Sequence, residues 1–210
     1  MDFSAGWGDR LAGFYASEHG ELFVGIDPRK ENHPIYEEQA KFYQKHSTFF
    51  ENDKKHELIC EPAEDADLSK YEGIMDIVFT SPPYFNVERY SHDDTQSWVR
   101  YKNIDLWNKN FLQTAVNNVW KTLRKGGILM VNISDVNASS KGKKKGWLKI
   151  CDPMNDYIKT FDDSEYVECF GMEMAKRPNS IGVGTAEGDK NNNEKEGDTF
   201  GEPVWVWKKI

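Results

Sequence analysis

Residues 75–85 read MDIVFTSPPYF, and no other stretch restricts what this chain can fold into so tightly. Met75, Ile77, Val78 and Phe79 make a short apolar run of the length and composition of a buried strand. Pro82 and Pro83 must end it, because neither can donate a ladder hydrogen bond and each fixes its own φ. A core strand therefore stops abruptly and delivers a stiff corner. Two aromatics, Tyr84 and Phe85, then follow where a loop ordinarily meets water.

The segments around it alternate between strand and helix signals. GDRLAGFYAS places Leu11, Phe14 and Tyr15 at helical spacing, and ELFVGID (21–27) follows as a parallel-type strand. PIYEEQAKFYQKH (34–46) reads as a helix and HELIC (56–60) as a short strand. From Asp105 to Lys125 apolar residues recur at three and four, Arg124 and Lys125 close the last turn, and Gly126 stands where a helix-ending glycine belongs. GILMVNIS (127–134) is the strand that this helix feeds. Such alternation predicts an α/β fold built on a mostly parallel sheet with right-handed crossovers. The end differs: YVECFGMEMA (166–175) and EPVWVWKK (202–209) alternate with period two and predict a C-terminal antiparallel hairpin, its polar loop (177–201) flexible.

At 210 residues the chain is long enough for one sizeable core, and seven Trp, nine Tyr and twelve Phe exclude a disordered composition. Its apolar runs fall short of the ~20 residues that span a bilayer. Cys60, Cys151 and Cys169 are odd in number and carry no CxxC spacing, which predicts a reduced, cytoplasmic protein without a disulfide framework or metal site. The net charge of −8 argues against a nucleic-acid partner, but it is unevenly spread. KGKKKGWLK (141–149) carries five lysines and no acid, so Lys143 and Lys144 are either phosphate contacts or a solvated loop.

DFSAGWGD (2–9) sets Gly6 and Gly8 immediately ahead of a helix, a place where the backbone turns sharply and free N–H groups face a ligand. A dinucleotide fingerprint would need a third glycine where Leu11 stands, which disfavours nicotinamide and leaves a nucleoside ligand open. Asp27 closes the next strand about twenty residues on, where an acid can accept from both ribose hydroxyls. A tight turn and a capping carboxylate are the plain alternatives for these residues.

Thr80-Ser81-Pro82-Pro83-Tyr84, together with DFSAGWG, GID and KGGILMVNIS, resembles the DNA amino-methyltransferases, which transfer the methyl of S-adenosylmethionine to the exocyclic nitrogen of adenine or cytosine. The SPPY form is the more typical of the cytosine-N4 enzymes. The resemblance implies a Rossmann-like S-adenosylmethionine-dependent methyltransferase fold, with S-adenosyl-L-methionine as cofactor and DNA as substrate. It implies a catalytic corner of Ser81, Pro82, Pro83 and Tyr84, and cofactor contacts from Asp2, Ser4, Ala5, Gly6, Gly8, Asp27 and Thr80. Glu61 and Glu64 both qualify to meet the cofactor's adenine, and Glu64 is taken.

The chemistry fits those residue types. An exocyclic amine is a poor nucleophile because its lone pair is delocalised into the ring. Ser81 Oγ and the Pro82 carbonyl, held by the stiff corner, can accept from its two N–H bonds and aim the lone pair at a sulfonium methyl. The target base must leave the duplex to reach them, and Tyr84 is expected to stack on it. Phe85, Arg89 and Arg100 belong to a loop expected to close over the target nucleotide, the arginines on phosphate. Arg177-Pro178-Asn179 is a DNA contact or a turn.

In the family a buried strand leads into the glycine loop. Here the loop begins at Asp2, so one methyltransferase domain over 1–210 is expected, lacking its first strand and truncated at its N-terminus. Either the chain is a fragment of a longer protein or the sheet closes another way; a homodimer or a missing N-terminal segment is the expected partner. An RNA base or a protein amide as acceptor, or a silent fold that only binds, are the other readings.

Overall fold

A computed structural model describes residues 1–46, 54–138, 146–173 and 201–210. In chain order, α1 (Asp9–Ala16), β1 (Leu22–Ile26), α2 (Asn32–His46), β2 (Lys55–Ile59) and β3 (Met75–Thr80) form the first half. Two short helices, α3 (Ser97–Arg100) and α4 (Ile104–Trp107), lead through a π-helical segment, Asn108–Gln113, into α5 (Thr114–Thr122). Then come β4 (Leu123–Asn132), β5 (Val136–Ala138), β6 (Gly146–Leu148), α6 (Cys151–Ile158), β7 (Ser164–Glu173) and β8 (Gly201–Lys209).

β1 and β2 pair in parallel from Leu22↔Lys55 to Ile26↔Ile59. β3 pairs with β4 in parallel, and β8 lies antiparallel between β4 and β7, giving the order β3-β4-β8-β7. The predicted terminal hairpin is therefore present. Its loop lies outside the described residues except Gly201, which opens β8.

The two sheets are joined by the first residues of the chain. Asp2 N donates to Val24 O at 2.8 Å and Ile26 N to Asp2 O at 2.9 Å, a parallel bridge to β1. On the other side Met1 N donates to Ile77 O at 2.8 Å and Phe79 N to Met1 O at 3.0 Å. No strand precedes α1 among the described residues, and Met1 and Asp2 alone bridge the slot, so the sheet closes by another route than a full first strand. Two residues suffice because both neighbours offer unpaired backbone groups that must otherwise stay buried without partners.

β1 is covered on both faces, because successive side chains point to opposite sides. Val24 and Ile26 join the main core with Trp107, Leu112, Val116, Leu129 and Trp207, while Phe23 joins Leu11, Tyr15, Tyr36 and Ala40 beneath α1 and α2.

The long helix predicted over Asp105–Lys125 differs in two respects. A π-helical segment interrupts it, and it ends at Thr122, with Leu123 already extended at ψ 133°. The carbonyls of Lys121 and Thr122 accept from Gly73 N and Ile74 N at 3.1 and 2.9 Å, so the turn before β3 satisfies the helix end early. Gly126, at φ +83°, serves an irregularity inside β4 instead: β3 advances from Met75 to Ile77 while β4 advances from Leu123 to Ile128.

Candidate active site

β1, β2 and β3 run parallel, so the loops leaving their carboxyl ends gather at one edge of the sheet, where open α/β folds bind ligands. A cleft lies there. Its walls come from the glycine loop (Ser4, Ala5, Gly6), from Asp27 and Arg29 after β1, from Ala63 and Glu64 after β2, and from Ser81 and Pro83 after β3. Phe111 of the π-helical segment, Tyr90 and Gln96 of the loop after β3, and Ser97 at the start of α3 complete it.

The glycine loop is held from within. Asp2, 1% exposed, accepts from Ser4 N at 3.1 Å and from Arg10 Nε at 2.5 Å, while Arg10 Nη2 donates to the Ser4 carbonyl at 2.6 Å. Asp2 does not line the cleft; Arg10 does. This corrects the cofactor contact expected of Asp2, whose carboxylate is taken up in shaping the loop. Gly6 sits at φ +57°, and an added Cβ there would meet only the Ser4 carbonyl, at 3.7 Å, so the loop's inner face is open. Its carbonyl accepts from Tyr36 Oη at 2.6 Å and Asn32 Nδ2 at 2.8 Å. Gly8, at φ +86°, precedes α1 at its N-terminal cap and, unlike the cofactor contact expected of it, does not line the cleft; a Cβ there would lie 2.2 Å from Gln39 Oε1.

Asp27 Oδ2 accepts from Gly6 N and Oδ1 from Arg29 N, both at 2.9 Å. These bonds orient the carboxylate and leave further lone pairs on each oxygen. Burial pushes its pKa up, against the pull of the two backbone donors. Of the two glutamates after β2, Glu64 lines the cleft and Glu61 is exposed outside it. Burial likewise raises Glu64, which accepts from Arg100 Nη1 at 2.6 Å and Tyr101 Oη at 3.1 Å.

Arg100 also pairs with Asp65 at 2.8 Å. Expected on phosphate, it is instead a strut between the loop after β3 and the wall after β2. Phe85 is corrected too: 6% exposed, it packs edge-on to Trp107 at 6.1 Å and belongs to the core. Its φ of +49° is the one positive value among the described non-glycine residues, and core burial holds it there. Arg89 stays exposed, its guanidinium 5.0 Å over Trp98. Lys143, Lys144 and Arg177-Pro178-Asn179 lie outside the described residues.

At the corner itself, Ser81 and Pro83 face the cleft while Pro82 is buried. The Pro83 carbonyl accepts from Phe85 N at 3.0 Å, and among the described residues nothing donates to the Pro82 carbonyl. Tyr84 packs against the main core, its hydroxyl donating to Glu202 of β8 at 3.3 Å and its N–H to Glu88 at 3.1 Å. Its ring is not among the cleft-lining groups, contrary to the stacking role expected of it. Thr80 is fully buried and away from the cleft, its Oγ1 without a partner among the described residues. The expected cofactor contact from Thr80 is therefore corrected to a place in the sheet.

The aromatics that do reach the cleft mouth are Trp7 and Tyr90, edge to face at 6.3 Å, with the Arg29 guanidinium 5.3 Å over the Trp7 ring. Sequence reasoning passed over all three. Trp7, 59% exposed between the two loop glycines, was the readable signal, since a large aromatic gains nothing by exposure unless it meets a partner.

No family model matches the chain, and no curated protein matches its sequence. Solved structures do. An S-adenosylmethionine-dependent methyltransferase from Methanosarcina mazei is similar with a TM-score of 0.55 at 11% identity, over 100% of this chain and 91% of that one. An rRNA methylase from Streptococcus thermophilus is similar with a TM-score of 0.51 at 14% identity, over 100% and 86%. A protein solved in work on conversion of a disulfide bond into a thioacetal group during echinomycin biosynthesis gives 0.57 at 12% identity, over 99% and 74%. The chain has the Rossmann-like fold of S-adenosylmethionine-dependent methyltransferases, with parallel and antiparallel strands in one architecture.

Proposed function

We propose that the protein transfers a methyl group from S-adenosylmethionine to the exocyclic amino group of cytosine (N4) or adenine (N6) in DNA. The observation that carries this reading is that the glycine loop, Asp27 and Ser81 all line one cleft.

The residues suit the cofactor. Asp27, fixed by two backbone donors, retains lone pairs for a ribose diol, and Gly6 leaves the backbone open to close approach. Ala63 and Glu64 would border the adenine, and Arg10 supplies positive charge beside the glycine loop for a carboxylate. When bound, S-adenosylmethionine would supply an electrophilic methyl: the amine nitrogen would gain it, the C–S electron pair would stay on sulfur, and one amine proton would leave to solvent.

The chain's own residues bind, orient and shield. Ser81 Oγ and the Pro82 carbonyl accept from the amine, draw it out of conjugation and point its lone pair into the cleft. Trp7 and Tyr90 flank the entering base, a role worth about 1–3 kcal/mol per stacked base. Pro83 and Phe111 keep water from the reacting face.

Tritiated methyl transfer to unmethylated duplex DNA, to RNA and to protein, followed by nucleoside and amino-acid analysis, tests the reading. Label in N4-methylcytosine or N6-methyladenine of DNA supports it. Label confined to RNA or protein, or none with cofactor bound, overturns it.

A further inference from the structure

Ser81 can grip an amine only if its hydroxyl proton is turned away from the substrate, and the structure contains a group placed to turn it. β3 and β4 pair in register through Thr80↔Val131, so Ser81 and Asn132 emerge side by side at the carboxyl ends of two parallel strands. Ser81 Oγ lies 3.3 Å from Asn132 Oδ1. Asn132 is 2% exposed, and its Nδ2 donates to the Pro203 carbonyl of β8 at 3.2 Å.

The second bond fixes the amide's direction. The Pro203 carbonyl also accepts from Ile133 N at 3.2 Å, so its two lone pairs are both taken by donors. Reversing the Asn132 amide would set its oxygen against that carbonyl, acceptor to acceptor, in a buried place where the lost bond is costly. With Nδ2 committed to Pro203, the oxygen is left toward Ser81, and the only bond the pair can make has Ser81 as donor.

We propose that Asn132 is a positioning residue. By accepting the Ser81 proton it leaves only lone pairs of Oγ facing the cleft, which makes the serine an acceptor for the substrate amine. Ser81 then carries no proton away from that amine, and the released proton leaves through solvent. The C-terminal hairpin enters the site by this route, since Pro203 of β8 holds the asparagine that orients the serine. This inference rests on the methyl-transfer reading for its role in catalysis, while the hydrogen-bond arrangement stands apart from it.

The test has two arms. In a double-mutant cycle, kcat and cofactor Kd are measured for wild type, Ser81→Ala, Asn132→Leu and the double variant. The expected result is a fall in kcat of about tenfold for Asn132→Leu, the scale of one hydrogen bond, with cofactor Kd unchanged. In the Ser81→Ala background the same change is expected to cost less than about twofold, because its effect passes through the serine. An equal loss in both backgrounds would make Asn132 merely structural and overturn the proposal.

The second arm needs no activity. The side-chain amide signals of Asn132 in a 1H–15N spectrum, assigned by their loss in Asn132→Leu, are compared between wild type and Ser81→Ala. A shift of that pair with the Trp207 indole signal unmoved supports the bond; an unmoved pair overturns it. Absent methyl transfer with a shifted amide pair would condemn the enzymatic reading and leave the pairing standing.

Discussion

Replacing Arg10 by alanine removes both bonds that hold the glycine loop from the helix side. The Asp2 side chain is 1% exposed and the Arg10 side chain 24%, so the loss strands a buried carboxylate with Ser4 N as its remaining partner. Breaking a buried ion pair from one side costs about 3–5 kcal/mol. Water can reach the space that the partly exposed guanidinium leaves, which places Arg10→Ala near the lower end, about 3 kcal/mol. For a domain of this size that is a fall in Tm of about 6–12 °C. Urea and thermal unfolding followed by circular dichroism measure it directly. In an Asp2→Asn background the same arginine change should cost only about 1 kcal/mol, because no charge is then left unpaired. A loss below about 1 kcal/mol in the wild-type background, or equal losses in both, would refute the claim that this pair shapes the loop.

Other perturbations read different parts of the account. Trp7→Ala should raise KM for DNA about tenfold through lost stacking while leaving Tm within about 1 °C, since the ring is mostly exposed; thermal unfolding and steady-state kinetics check both. Burial raises the pKa of Glu64, so its contribution to stability is full below the ordinary glutamate range and is lost as pH rises through the shifted value. Glu64→Gln should therefore flatten the decline of unfolding free energy as pH rises above the ordinary glutamate range, and an unchanged slope would exclude this source. Burial pushes the Cys151 thiol up to about 12, whereas Cys60 and Cys169 are exposed. Iodoacetamide at pH 8 should alkylate two thiols in the native protein and the third only after denaturation, counted by mass spectrometry.

Local rules made much of the fold legible. Pro82 and Pro83 end β3 at Thr80, and period-two alternation marks β7 and β8. Gly6 and Gly8 do take positive φ ahead of α1. What escaped was tertiary. Thr122 ends its helix because Gly73 and Ile74, some fifty residues earlier, bond its last carbonyls, so the Arg124-Lys125-Gly126 stop signal marks a strand irregularity instead. Met1 and Asp2 are too few to carry a strand period, yet they bridge two sheets.

The site divides in the same way. Asp27, Glu64 and Ser81 line the cleft. Arg100 and Phe85 were read from residue type alone, and their partners, Glu64 and Trp107, are remote in sequence. Trp7, Arg29 and Tyr90 meet only once three loops converge.

The central claim is that a sulfonium donor and the Ser81–Pro83 corner share one cleft. A crystal structure with S-adenosylhomocysteine tests it most directly. The account predicts ribose hydroxyls on the Asp27 carboxylate, adenine beside Ala63 and Glu64, and the sulfur opening toward Ser81 Oγ. Density for the ligand elsewhere, or a sulfur turned away from Ser81, would contradict it.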